Sequence, residues 1–360
     1  MVSFEPSEEQ LLIRDTVADF ARERMRPAAR AADESGAVPE PVIQQGWELG
    51  LVQATIPEAY GGSGEPRSAV TSALICEELA WGDLSLALHI MAPRLATYPV
   101  IELGTEAQQR EVLPAYAAAQ FAAGTAALLE PSFAFDARAC ATTATREDGR
   151  IVLNGAKCCV PLAADAQHVV VYARTPEGLS AFLVPRGAAG VTAVGPESNM
   201  GLKALRTYEV QFRDCALPVS AELRGEVTPL LNRMRVALAA LAIGVARAAF
   251  EYARDYAKER KAFGVFIAQK QAIAFMLAEM AIEIDAARLL TWEAAWKVDR
   301  GGDATREANL AKRYAASTAL MVADNAVQVL GGHGYVRSHL VELFLRNARG
   351  FAVLDGLAIA

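Results

Sequence analysis

Apolar residues recur at helical spacing through the first third of the chain, alternate through the middle, and return to helical spacing toward the end. The stretch "SEEQLLIRDTVADFARERM" opens with Ser7 three residues before Gln10, a capping-box pattern, and then repeats apolar residues as one face of a helix does. Further helices are broken by "IPEAYGGSGEP", where Pro57, Gly61, Gly62, Gly64 and Pro66 require a loop, and by "LGTEAQQ", where Thr105 reads as an N-cap. Residues 1–122 are predicted to form an α-helical domain.

Over residues 123–224 the period changes. "EDGRIVLNG", "QHVVVYART", "LSAFLVP" and "YEVQF" are short β-rich runs bounded by Gly, Pro and Asp-Gly or Asn-Gly turns. In "YEVQF", Tyr208, Val210 and Phe212 fall on one side and Glu209 and Gln211 on the other, as in a strand with one buried face. The expected middle domain is a small antiparallel barrel or sandwich. From residue 225 to 360 the helical pattern resumes, with Ile273, Met276, Leu277, Met280, Ile284 and Ala287 at spacings of three and four. Breaks at "KAFGVFIAQ", "DRGGDAT" and "GGHGY" divide this region into roughly four helices, a C-terminal bundle. The predicted class is α+β, in the order α, β, α.

Composition narrows the function. A chain of 360 residues, 53% hydrophobic and 21% charged, buries a large core and is not disordered. A net charge of −7 provides no basic face for nucleic acid. The N-terminus lacks the basic and then apolar pattern of a signal peptide, so the chain reads as cytoplasmic. "VALAALAIGVARAAF" is apolar, but Arg235, Arg247 and Arg254 punctuate its helix, which suits a bundle better than a membrane span. Five cysteines contain no C-x-x-C pair and read as reduced thiols. Cys158 and Cys159 are expected on opposite faces of a strand, and the four His are scattered, so no metal site is predicted.

Several strings resemble the acyl-CoA dehydrogenase family along nearly the whole chain. "YAKERKAFG" is similar to its R-x-x-F-G element, with Arg260, Phe263 and Gly264 in place and Gln271 at the family's glutamine position. "QVLGGHGY" is similar to Q-x-x-G-G-x-G-Y, with Gln328, Gly331, Gly332 and Gly334. The resemblance implies that both elements reach the FAD of a neighbouring subunit. Arg260 would pair with the diphosphate, Phe263 would pack near the adenosine, and Gln271 and Gln328 would hydrogen-bond the cofactor. Gly331 and Gly332 would let backbone approach it. It also implies an acyl-CoA substrate, an electron-transfer flavoprotein-like acceptor, and a homodimer or homotetramer. The side-chain chemistry agrees: Arg offers a planar fork to phosphate oxygens, and Gly lacks the Cβ that keeps backbone from a ligand.

Three departures qualify the chemistry. Where the family carries T-E-P-x-A-G-S-D, this chain has "LEPSFAFDA", with Leu129 in place of threonine, leaving its backbone N–H for the flavin ring. The family's W-I-T segment reads Cys159, Val160 and Pro161, and Pro161 has no N–H. At the end, "AVLDGLAIA" puts Asp355 and Leu357 where the family's catalytic Glu and its Thr are found. The resemblance makes Asp355 the candidate base and Arg235 a candidate substrate contact. Read from its neighbours alone, Asp355 is an Asp before Gly in a terminal turn, on an end expected to be loosely anchored. Two readings follow: an FAD-dependent dehydrogenase acting through Asp355, or a subunit that has lost its chemistry and serves a related subunit in a hetero-oligomer.

Overall fold

The computed structural model describes residues 5–360. Its helical N-terminal layer comprises α1 (Glu8–Phe20), α2 (Arg26–Ser35), α3 (Glu40–Glu48), α4 (Ala69–Gly82), α5 (Leu84–Met91), α6 (Arg94–Leu103) and α7 (Glu106–Tyr116). Ser7 and Gln10 form the expected reciprocal cap, with the Gln10 N–H donating to Ser7 Oγ at 3.2 Å. Thr105 does the same with Gln108 at the start of α7. Both caps satisfy amide N–H groups that the first turn of a helix leaves unpaired.

The middle layer is one sheet of β1 (Thr125–Ala127), β2 (Thr143–Glu147), β3 (Arg150–Pro161), β4 (His168–Thr175), β5 (Gly178–Pro185), β6 (Val191–Val194), β7 (Thr207–Pro218) and β8 (Glu222–Leu223). Its strand order is β6-β7-β3-β2-β4-β5-β8, with β1 beside β4. Of the expected antiparallel barrel or sandwich, the closed barrel is set aside: β6 and β8 remain as separate edges, and β4 has parallel contacts with both β1 and β2. The parallel pairs arise because β1 enters from the helical layer alongside β4 instead of through a hairpin. On β7, Tyr208, Val210 and Phe212 are buried while Glu209 and Gln211 are half-buried, as the alternation predicted.

The C-terminal layer contains α8 (Thr228–Glu259), a two-stranded ribbon of β9 (Lys261–Ala262) and β10 (Val265–Phe266), α9 (Gln271–Asp299), α10 (Thr305–Leu330), the short α11 (Gly332–Tyr335) and α12 (Val341–Ala348). Asn232 donates to Thr305 Oγ1 at 3.2 Å near the starts of α8 and α10, and Tyr256 meets His333 Nδ1 at 2.8 Å near their ends. The two helices therefore run parallel, with the connection completed by α9 returning along them. Met280, Ile284 and Ala287 of the predicted α9 stripe are buried. Two helical stretches, Leu84–Leu103 and Thr228–Glu259, are long and apolar enough to cross a membrane, but 94% and 78% of their apolar windows lie inside the fold.

Charged groups lock α12 against α2. Arg346 donates to both oxygens of the buried Asp33 at 2.8 and 2.7 Å and to Glu342 at 2.7 Å, while Arg30 reaches Glu342. Burial alone raises the Asp33 carboxyl, but the Arg346 hydrogen bonds and charge outweigh it and hold the pKa below its ordinary value. α12 is thereby a fixed base for the segment that follows it.

Candidate active site

The final residues are packed tightly. Leu357, Ala358, Ile359 and Ala360 are each no more than 2% exposed. The Ala360 N–H donates to the Arg233 carbonyl at 3.2 Å, and Arg233 Nη1 donates to the Ala360 carbonyl at 3.1 Å. Arg233 also pairs with Glu102 at 3.2 Å, joining the tail to α6. The expectation of a loosely anchored end is thus overturned. What a local reading of "DGLAIA" misses is that its apolar residues find a preformed core and its backbone finds Arg233 on α8.

Gly356 sets the geometry of this segment. Its φ is +72°, and a Cβ there would stand 2.7 Å from Leu128 Cβ, so both conformation and space require glycine. The turn leaves Asp355 half-buried between the buried Leu354 and Leu357, and among the described residues its carboxylate has no hydrogen bond or ion pair. Its charge is felt by Arg235, two residues from the tail's anchor on α8. Burial lowers the Arg235 guanidinium's pKa, and the Asp355 carboxylate acts in the opposite direction. Arg235 itself donates to Asn232 Oδ1 at 3.2 Å. Asp355 and Arg235 are therefore within electrostatic range of each other without forming an ion pair.

Beside the tail lies a cavity of about 360 Å³, lined by Cys159, Met200, Thr207, Asn347, Val353 and Leu354. Cys159 of β3 and Thr207 of β7 line its sheet side, and residues 158–161 of β3 depart from the predicted alternation. The register slips between Lys157 and Val160, and Cys159 adopts φ +53°, so the two thiols hydrogen-bond each other instead of facing apart. That bond draws the Cys158 thiol's pKa down and pushes the Cys159 thiol's up. The Cys158 N–H donates to the Leu129 carbonyl at 2.9 Å, and the Cys159 N–H is taken by Glu197 at 3.1 Å. Pro161 has no N–H, whereas the Leu129 N–H has no partner among the described residues. Of the four positions Leu129, Cys158, Cys159 and Pro161, only Leu129 keeps a free backbone donor among the described residues.

The other predicted site residues gather at the far end of the bundle. Arg260 caps α8, Gln271 opens α9, and Gln328 lies in the last turn of α10 ahead of Gly331 and Gly332, all of them exposed. Phe263 and Gly264 are the central pair of the β9–β10 hairpin, with φ +54° and +80°, the left-handed pair that a tight type I′ turn requires. Phe263 is 95% exposed, so a strained aromatic residue is held outward. Gly331 adopts φ +57°, and a Cβ there would meet nothing. A forked cation, two amide side chains and bare glycine backbone form a suitable donor set for a diphosphate. Along α8, however, Arg260 stands roughly 37 Å from Arg235 at 1.5 Å per residue, too far for one extended dinucleotide to serve both.

Models of the acyl-CoA dehydrogenase N-terminal, middle and C-terminal domains match residues 7–120, 125–215 and 227–358. The chain belongs to the acyl-CoA dehydrogenase family. It is 36% identical to a probable acyl-CoA dehydrogenase of Bacillus subtilis, over 99% of this chain and 96% of that one. The structure of butyryl-CoA dehydrogenase from Megasphaera elsdenii superposes with a TM-score of 0.89 at 32% identity, covering 98% of this chain and 96% of that one. A glutaryl-CoA dehydrogenase from Mycobacterium smegmatis, determined in complex with FADH2, has a TM-score of 0.87 at 27% identity, with coverage of 98% and 92%. Acyl-CoA dehydrogenases are flavin oxidoreductases, so the donor set and the cavity belong to a flavoprotein scaffold.

Within this member of the family, three structural residues escape a reading by motif. Glu197 occupies a backbone donor of the cavity wall, Asn347 accepts from the Leu202 N–H at 2.8 Å, and Arg233 clamps the tail. Arg233 adjoins Met234 and Arg235 in sequence, and only its contact with the chain end distinguishes it.

Proposed function

We propose that the protein dehydrogenates an acyl-CoA thioester between Cα and Cβ, with Asp355 as the base. The observation that carries this reading is the unengaged, half-buried carboxylate on an anchored tail within electrostatic range of Arg235. Asp355 takes the proton from Cα. Arg235 places positive charge near the point where negative charge develops as that proton leaves. The buried Leu354 and Leu357 on either side limit water around the carboxylate. The chemistry that a bound FAD supplies is acceptance of the hydride from Cβ, and its reoxidation is assigned to an electron-transfer flavoprotein-like acceptor. The test is anaerobic addition of an acyl-CoA to the yellow protein: the visible flavin absorbance should fall, and an unchanged spectrum would sink the proposal.

The cofactor would be held between copies of the chain. Leu129 would offer its N–H to the ring from one protomer, while Arg260, Gln271, Gln328, Gly331 and Gly332 would serve the diphosphate end from its partner, with Phe263 packing there. The roughly 37 Å length of α8 between Arg235 and Arg260 supports this division. Exposed Phe275, Ile282 and Leu289, spaced by sevens along α9, supply an apolar stripe for the second copy in a homodimer or homotetramer. Arg260→Ala removes a charge-assisted contact of about 1.5–3 kcal/mol, equivalent to roughly 10- to 100-fold weaker flavin retention. The ratio of visible to ultraviolet absorbance after dialysis measures it; an unchanged ratio would remove Arg260 from the cofactor site.

A second reading is favoured by one observation. The N–H groups of Cys158 and Cys159 are already committed, and Pro161 has none, so the ring wall is poor in donors. On that reading the chain is a structural or ligand-binding subunit of a hetero-oligomer and lends its outward donors to a related subunit. A colourless protein when purified alone, and a yellow complex after co-expression with that subunit, would select it.

A further inference from the structure

A cavity of about 520 Å³ opens in the N-terminal helical layer between α1, the turn that follows α3, and α4. None of the residues proposed above for substrate, base or cofactor lines it. Leu12, Ile13, Val17, Ala54 and Ile75 make most of its wall apolar. At its inner side are Arg94 and Tyr98, one turn apart on α6, which are 3% and 1% exposed.

Arg94 is a buried cation whose partners among the described residues are all neutral. Its Nε and Nη2 donate to the Leu51 carbonyl at 3.1 and 2.5 Å, and Nη1 donates to the Ser72 hydroxyl at 3.1 Å. One N–H on each terminal nitrogen is left over. The Tyr98 hydroxyl is buried with no partner among the described residues, and the guanidinium carbon stands 5.4 Å from its ring centre. Cys76, whose thiol would gain from the Arg94 charge, is held neutral by burial, which pushes its pKa up to about 11. Neighbouring Glu102 is already shared by Arg67 and Arg233. A buried charge without a counter-charge and a buried hydroxyl without an acceptor are both costly, and here they line the same empty volume.

We propose that this cavity binds a monocarboxylate with an apolar chain, in the manner of a free medium-chain fatty acid. The carboxylate accepts from the spare Arg94 N–H groups and the Tyr98 hydroxyl, and the chain lies along Leu12, Ile13 and Ile75. Glu9 and Glu65 at the lining disfavour a multiply charged phosphate, which separates this ligand class from the nucleotide part of a CoA thioester.

The test is calorimetric titration of the protein, as purified with its cofactor, with octanoate and with octan-1-ol as the uncharged probe. Octanoate should bind about tenfold or more tightly than the alcohol, because a charge-assisted hydrogen bond separates the two. Ile13→Trp fills the cavity from α1 without touching the buried charge, and it should abolish octanoate binding while the melting temperature holds. Arg94→Gln should bring octanoate down to the alcohol's affinity. Asp355→Asn and Arg235→Ala should leave octanoate binding unchanged, which distinguishes this cavity from the acyl site. Equal binding of acid and alcohol, retention of binding in Ile13→Trp, or loss of binding in Asp355→Asn would each overturn the proposal.

Discussion

Asp355→Asn should eliminate flavin bleaching by an acyl-CoA under anaerobic conditions while leaving the oxidised spectrum and the melting temperature close to those of the parent. Asn has the same shape and cannot accept the α-proton. A positioned base contributes on the order of 10²- to 10⁴-fold, and that is the expected loss in the rate of bleaching. Retained structure is expected because Asp355 makes no hydrogen bond or ion pair among the described residues, whereas the tail is anchored by Arg233 and by its own apolar residues. Asp355→Glu extends the carboxylate by one methylene, roughly 1.5 Å. Because a misplacement of about 1 Å can cost on the order of 100-fold, this longer variant should retain or raise the rate. Unchanged bleaching in Asp355→Asn would remove the residue as base.

Lys157→Met should be the most destabilising single change in the sheet. Lys157 is fully buried, and its ammonium donates to Glu130 Oε1 at 2.9 Å and to the Leu128 carbonyl at 3.0 Å. Removing one partner of a buried pair leaves the other charge uncompensated, a cost of about 3–5 kcal/mol. Glu130 does not lose every partner, since its oxygens also accept from the Ala141 and Thr142 N–H groups at 2.6 and 2.8 Å.

The pH dependence identifies the cause. Burial raises the Glu130 carboxyl, but its hydrogen bonds to Thr142 and Ala141 and the Lys157 charge outweigh this and hold its folded pKa below the ordinary value. Its stabilisation is therefore present above the unfolded-state pKa of about 4.3 and is lost as pH falls through the lower folded value. In Lys157→Met the carboxyl protonates more readily, which relieves the unpaired charge. Urea unfolding should show the full gap near neutral pH and a narrower gap in acid. A gap below about 1 kcal/mol near neutral pH, or one that widens in acid, would contradict the buried-pair account.

Local physics made much of this fold legible. Ser7 and Thr105 cap helices because their hydroxyls reach amides three residues on, and β7 alternates because successive side chains face opposite ways. Where the reading failed, the cause was non-local. The parallel contacts of β4 depend on where the helical layer delivers β1, which no hairpin signal encodes. Cys158 and Cys159 meet because a bulge against β7 turns one of them. The tail is fixed by Arg233, 127 residues earlier in the chain, so its composition alone could not separate an anchored end from a frayed one. At the site, family motifs located the outward donors and the Asp355 position, and the fold added the distance between them.

On the proposed division of the cofactor site, that distance would make each protomer both a borrower and a lender. One continuous helix carries Arg235 toward the chain's own tail and ends in Arg260, which faces away from it. Damage at one end is therefore felt in a different copy from damage at the other. An assembly mixing Arg260→Ala chains with Asp355→Asn chains should contain some sites built from an intact Asp355 and an intact Arg260. Two preparations that are each impaired should thus regain flavin bleaching when co-expressed, and mixed assemblies with no recovery would place both residues at one and the same site.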